Sequence, residues 1–411
     1  MAVIPHPLGG IGDAELAAKA EAAWPLLRAW LEEPPSDGGE TRTSLPYTPS
    51  PHRGEGQGEA HTPPAPERFL VSGDEVAVTA WLEERGLTDG LPVVAPTEER
   101  VAAMVAASGL DPAESLGAVP PRQGEAIVER LAANAVMAGL RPERFGILLA
   151  AVRAVLQPEF NLDGVQATTH PVAPLVVVHG PVARRLGVQG GSGALGPGFS
   201  ANATIGRALR LVLLNVGGAR PGEGDLSTHG GPAKFTYCLT ENVSASPWPE
   251  FHTGRGFGPS DGAVTVFAGE APHNVNDHQS QEPEPLLDLV ADVMRTLGHN
   301  TWYRDRDGRN EMLVILSPEH AEVVARRGWG PEQVQSYLFE RSARSPEDLR
   351  RGGMWEMRNW PEWLEQAAVR GEPVHPARSA DGILLMVAGG PGKHSVVIPG
   401  FGSSLAVTVA A

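Results

Sequence analysis

The chain has one cysteine in 411 residues and three lysines, and it has neither a long apolar run nor a basic run. A single thiol, Cys238, excludes an intrachain disulfide and any metal or iron–sulfur site built from several thiolates of this chain. With no apolar stretch near the ~18–20 residues of a membrane span, and no charged-then-apolar start typical of a secretory leader, the expected compartment is the cytoplasm. A net charge of −16 argues against nucleic acid and anionic membrane surfaces as partners, because both are bound through basic patches.

What is present is a globular composition, 41% hydrophobic and 20% charged, in a chain long enough for two domains or one large one. Residues 13–33 read as an N-terminal helix that Pro25 interrupts. Residues 34–67, rich in Pro, Gly, Ser and charge, cannot bury enough surface to order themselves and read as a disordered insertion. The folded body then divides into a helical and αβ part, 68–158, and an α/β part, 159–411, carrying the glycine-rich loops.

Continuous apolar runs at Leu175–Val178, Ala263–Ala268, Met312–Leu316 and Ile383–Ala388 predict strands buried on both faces. Helices covering both sides of such a sheet make it largely parallel, so the expected class is α/β. Helices are predicted at 74–86, after Thr97, and over 124–139, 143–156, 202–216, 284–297, 318–327 and 331–370, with Trp355, Trp360 and Trp363 covering the core. Pro92–Ala95 reads as a further strand. No internal repeat is evident. Several strands pass directly into His, Gly or Ser turns, and in open α/β sheets the ligand crevice lies beyond such carboxyl ends.

The densest chemistry lies between Gly190 and His252. One glycine-rich loop precedes the 202–216 helix, so its N–H groups suit an anion. Two of the three lysines, Lys234 and Lys393, sit in the glycine- and histidine-bearing runs HGGPAKF and GGPGKHS. Cys238 is a candidate nucleophile if His229, Lys234 or His252 lies close, with Glu241 three residues on; a buried small hydrophobe is the alternative reading. Asn202, Lys234, His320, Gly389, Gly390, Gly392, Lys393, His394 and Ser395 are candidates for holding a small anionic substrate. Gly389–Ser395 matches neither the Walker pattern nor the dinucleotide fingerprint, and the cofactor is unknown from the sequence. Thirteen histidines, with Glu241 or Asp277, leave a mononuclear metal open, although no HExxH or HxH spacing occurs.

The runs NAVMAG (134–139), GVQATTHP (164–171), ANATIGRALRLVLLNVGGARPG (201–222) and GGPGKHS resemble a bacterial family labelled UGSC-like. That family is related to the selenoprotein B component of glycine, betaine, sarcosine and proline reductases. The resemblance spans about residues 70–411 and implies thiol- or selenol-dependent chemistry on a small amino-acid-derived substrate, with a reductase partner protein. Leu140 and Ala194 stand where relatives are expected to carry cysteines, so Cys238 alone would have to supply the thiol. The expectation is a thiol-dependent oxidoreductase or lyase. A metal-dependent lyase or hydrolase, or a non-catalytic reductase subunit, are the alternatives, and a homo-oligomer is compatible with all three.

Overall fold

The computed structural model describes residues 68–302, 310–351 and 362–411; the 13–33 helix, the 34–67 insertion, Trp355 and Trp360 lie outside them. The chain divides into a large unit, Pro63–Leu349 with Ala367–Ala411, and a smaller one whose described residues are 350–351 and 362–366.

In chain order the large unit begins with α1 (Glu75–Glu83), capped by the Asp74 carboxylate, and α2 (Glu98–Ser108), capped by Thr97 and closed by Gly109 in the left-handed region. The expected strand Pro92–Ala95 forms no strand and joins no sheet. A hairpin follows, β1 (Ser115–Val119) with β2 (Gly124–Ile127), so the first four residues of the expected 124–139 helix pair as strand before α3 (Val128–Met137) begins. Then come α4 (Phe145–Val155), α5 (Leu162–Ala167), β3 (Ala173–His179), α6 (Pro181–Leu186), α7 (Ser200–Asn215), β4 (Cys238–Leu239), β5 (Ala263–Gly269), β6 (His273–Asn276) and α8 (Pro283–Met294). The rest is β7 (Met312–Leu316), α9 (Pro318–Ala325), α10 (Pro331–Arg341), α11 (Pro346–Leu349), α12 (Glu362–Arg370), whose residues 362–366 belong to the smaller unit, β8 (Ile383–Val387), β9 (His394–Pro399) and β10 (Val407–Ala410). The long helix expected over 331–370 ends at Arg341, Arg344 bridges Val374, and Pro346 opens a separate short helix.

The class is α/β, but the sheets are mixed rather than largely parallel. Two four-stranded sheets, ordered β10-β5-β3-β4 and β6-β9-β7-β8, each hold one parallel pair, β3/β4 and β7/β8; the other neighbours are antiparallel. The apolar runs were a correct sign of burial on both faces and carried no information on strand direction. Period-two alternation separates the faces. Leu175, Val177, Leu239 and Phe267 of the first sheet pack on Leu313, Ile315, Met386 and Ile398 of the second. Val176, Val178, Val264 and Val266 face the helices, with Leu131, Leu148, Ile205 and Leu209. Val314, Leu316, Leu385 and Val397 do the same against Leu286, Val290 and Leu338. The layers are therefore helix, sheet, sheet, helix, and burial on both faces of a strand is met by a sheet on one side and helices on the other.

A repeat invisible in the sequence organises these sheets. β3-β4-β5-β6 and β7-β8-β9-β10 share one plan: two parallel strands joined by helices, a third antiparallel on the far side of the first, and a fourth donated to the other sheet. Val176 opposite Cys238 corresponds to Val314 opposite Leu385. Where the exchanged chains cross, Gly269 bridges Gly400, Glu270 N–H donates to the Pro399 carbonyl (2.9 Å) and Phe401 N–H to that of Ala268 (3.0 Å). A side chain is excluded on both sides of the crossing: a Cβ on Gly269 would lie 2.8 Å from Ile398 Cγ2, and one on Gly400 3.0 Å from the Phe267 ring.

Among the described residues no single helix is long and apolar enough to cross a membrane.

Candidate functional site

Helix α7 buries Ile205, Leu209, Val212 and Leu213 against the first sheet and turns Arg207 and Arg210 away from that stripe. Arg207 forms a two-pronged ion pair with Asp89, Nε to Oδ2 and Nη2 to Oδ1 at 2.8 Å each. Arg210 reaches the loop after its own helix, donating to the Ala219 carbonyl (3.1 Å) and standing 3.3 Å from Asp225 Oδ2. Farther on, the short turn Pro232–Lys234 carries Lys234 Nζ to 2.8 Å from the same Asp225 oxygen. The other oxygen, Oδ1, accepts from Ser227 N–H (3.1 Å), which fixes the loop.

Two cations thus share one carboxylate, and all three side chains are largely buried, 12% exposed for each cation and 4% for Asp225. Arg207 and Asp89 balance each other nearby, so the cluster carries one unmatched positive charge. Burial is the largest influence on Lys234 and outweighs the Asp225 hydrogen bond and charge; the Arg210 guanidinium pushes the same way, so the amine holds its proton less tightly than an ordinary lysine. Burial lowers Arg210 too, although Asp225 and Asp89 oppose it, and a guanidinium stays charged regardless.

This cluster walls a cavity of about 510 Å³ lined also by Asp89, Ser227, Thr228, His229 and Phe235. Behind it lies a void of about 10 Å³ bounded by Gln166, Arg210 and Lys234. Gln166 is 1% exposed, and its Nε2 has no hydrogen-bond partner among the described residues.

The other expected site residues fall into two further places. Glu241 stands past the carboxyl end of β4, at the opposite end of β3 from Lys234. Its Oε2 accepts from His179 Nδ1 (3.2 Å) and from Phe251 N–H (2.9 Å), and His179 continues through Thr265 (2.9 Å) to Thr408 (2.9 Å). His252 stacks on His179 at 5.4 Å and is fully buried. Glu241 lines a cavity of about 480 Å³ with Gly190, Gly191, Asn242, Arg184 and Glu250, where two carboxylates face one guanidinium.

The two glycine-rich loops do come together. Gly389 N–H donates to the Gly190 carbonyl (2.7 Å), Asn242 Nδ2 to that of Gly389 (2.9 Å), and a Cβ on Gly390 would overlap the Ser192 hydroxyl. Asn202, expected on an anion, is spent on this assembly: Oδ1 accepts from Gln189 N–H, and Nδ2 donates to the Gln189 and Ala194 carbonyls.

The GGPGKHS turn is likewise committed to structure around Ser395. His320 Nε2 faces the Asp277 carbonyl (3.0 Å), which can only accept, so Nδ1 is the acceptor for the Ser395 hydroxyl (2.7 Å). Ser395 in turn accepts from Ser317 N–H (3.0 Å), and Ser395 and His320 are each 1% exposed. Lys393 Nζ donates to the His278 carbonyl and His394 meets Asn274 Oδ1; Gly392, at φ +139°, has no atom against it.

Cys238 is removed from all of this. Its side chain lies on the helix-facing side of the first sheet, among the apolar residues of that core, and makes no hydrogen bond among the described residues. Burial pushes its thiol far above the ordinary range, the reverse of what a nucleophile needs. Native protein is therefore expected to resist iodoacetamide and to react after unfolding in urea. Cys238→Ser should cost about 1–3 kcal/mol for the buried hydroxyl and leave ligand binding intact; rapid alkylation of folded protein would contradict this placement.

The histidines do not gather either: among the described residues no three of His, Cys, Asp and Glu converge as metal ligands.

Arg210, Asp225 and Gln166 are the residues sequence reasoning missed. The available signal was two arginines three apart on the polar side of an otherwise apolar helix, followed by an aspartate in a glycine-rich loop.

Comparison with protein-family models, with curated proteins and with solved structures finds no match to this chain.

Proposed function

We propose that the Asp225 cavity binds a small organic anion and that Lys234 transfers a proton there, making the protein a lyase or oxidoreductase of small carboxylates. The unmatched buried charge carries this reading. A buried charge without a partner is expensive; Arg210 and Lys234 on a single carboxylate leave such a charge beside open space, in a chain whose net charge is −16. A carboxylate ligand supplies the missing partner and makes charge-assisted hydrogen bonds. Counted by lining residues alone, this cavity sets Arg210 and Lys234 against Asp89 and Asp225, and Arg207 behind Asp89 supplies the surplus, whereas the neighbouring cavities are acidic: one has two carboxylates against one arginine. Another, of about 700 Å³, has Glu250, Glu311, Glu332 and Asp381 against Arg255 and Arg378.

Lys234 suits acid–base work because its proton is loosely held and Asp225 is in reach to exchange it. The small anionic substrate expected from the resemblance is retained on this ground, while thiol dependence is not. A reading as a reductase subunit assigns the redox thiol to a partner protein, since the one thiol here is shut in the core.

Acetate, lactate, malonate and pyruvate make a suitable panel for urea unfolding at low ionic strength. A ligand at a hundred times its Kd is expected to raise stability by about 2.7 kcal/mol, with the gain lost in Lys234→Met and Arg210→Met and kept in Lys393→Met. Equal gains in all variants, or none in any, reject the assignment.

A further inference from the structure

Resting on that reading of the Asp225 cavity, we propose that Lys234 is a nucleophile that forms an imine with a small 2-oxo acid.

Four observations meet at its amine. Lys234 is shielded from water and stands beside a second fixed cation, Arg210, the two devices that favour a free amine. Asp225 Oδ2 lies 2.8 Å from Nζ, placed to take its proton. Arg210, on the same carboxylate, is the natural partner for a substrate carboxylate next to the carbonyl under attack. Finally, the void between Gln166, Arg210 and Lys234 has about the volume of one water, and the buried Gln166 amide that faces no partner lines it.

The step balances without an outside reagent. The ammonium gives one proton to Asp225; the free amine attacks the carbonyl carbon, forming the C–N bond as the C=O π pair moves to oxygen. That oxygen takes up the second amine proton. Asp225 then returns the first, the C–O bond breaks, and water leaves as the nitrogen lone pair closes the C=N bond. One ammonium and one ketone become one iminium and one water, charge conserved. Gln166 Nε2 donates to the oxygen as it gains charge and then to the released water in the void. An arginine at 234 could bind the same anion and could not do this, which gives a reason for lysine in a chain that otherwise uses arginine for nearly all its positive charges.

The test uses glyoxylate and pyruvate with sodium cyanoborohydride, followed by peptide mass mapping, and lactate, which lacks the carbonyl, as the control. The expected result is one reduced carboxyalkyl adduct on Lys234, absent from the other two lysines, with a yield that rises with pH and reaches half its maximum below the ordinary lysine range. Lys234→Arg should still bind lactate by calorimetry and form no adduct. Calorimetric binding of glyoxylate or pyruvate without an adduct on Lys234, or adducts spread equally over the lysines, overturns the imine and leaves the anion cavity standing. Neither binding nor adduct overturns both.

Discussion

Replacing Asp225 by asparagine is expected to destabilise the protein by about 3–5 kcal/mol, the cost of breaking a buried ion pair so that charge is left uncompensated. Here the loss is of the one carboxylate that Arg210 and Lys234 share, with all three side chains largely buried. Lys234→Met on its own should be nearly neutral or slightly stabilising, because Arg210 and Asp225 then form a balanced pair. Putting Lys234→Met into the Asp225→Asn background should recover about half of the loss, since one of the two stranded charges goes. Urea unfolding of the four proteins supplies a double-mutant cycle. A surface ion pair would show losses of ~1 kcal/mol or less in every variant, and that pattern would contradict the buried charge surplus.

The second large effect belongs to the crossing of the exchanged strands. Gly400→Ala is expected to cost about 3 kcal/mol or more, as overpacking of a site that cannot relax. The added methyl would overlap the Glu311 carbonyl oxygen and press on the Phe267 ring. Neither can move aside. Phe267 is packed between the two sheets, and Glu311 is held by its carboxylate, which accepts from Ala406 N–H at 2.7 Å. Gly191→Ala is the control, because nothing lies within 4 Å of a Cβ there; it should stay within about 0.5 kcal/mol of the parent. Thermal unfolding of both variants decides the matter, and equal midpoints would mean that the crossing tolerates side chains.

Local structure was the most legible part of the fold. The strand Met312–Leu316 and the Ser317 cap of α9 follow from an apolar run and a Ser-Pro step, and the structure places both there. Sheet direction was not legible, because Val176 is equally apolar whether its neighbour runs parallel, as β4 does, or antiparallel, as β5 does. The repeat was hidden for a related reason. Its equivalent positions share burial and not size, Cys238 with Leu385 and Phe267 with Ile398, while polar positions such as His179 and Ser317 have diverged in chemistry.

For the site, Lys234 and His229 stood out by residue type in a glycine-rich run, and both line the cavity. Their partners did not stand out. Arg210 reads as an outward residue of an amphipathic helix, and its meeting with Asp225 depends on the path of the loop between them. Cys238 illustrates the opposite error: next to Tyr237 and near Glu241 in sequence, it points to the helices, whereas Leu239, one residue on, points between the sheets. Alternation along a strand two residues long settles which side chains can meet, and adjacency in sequence does not.

On the proposed reading, the positive surplus at Asp225 awaits a small carboxylate. Isothermal titration of the purified full-length protein with lactate and pyruvate, run beside Lys234→Met at low ionic strength, tests it most directly. Saturable binding of one anion per chain is expected, absent from the variant and weaker with added salt. No saturable heat with either anion, or binding that Lys234→Met leaves unchanged, would contradict it.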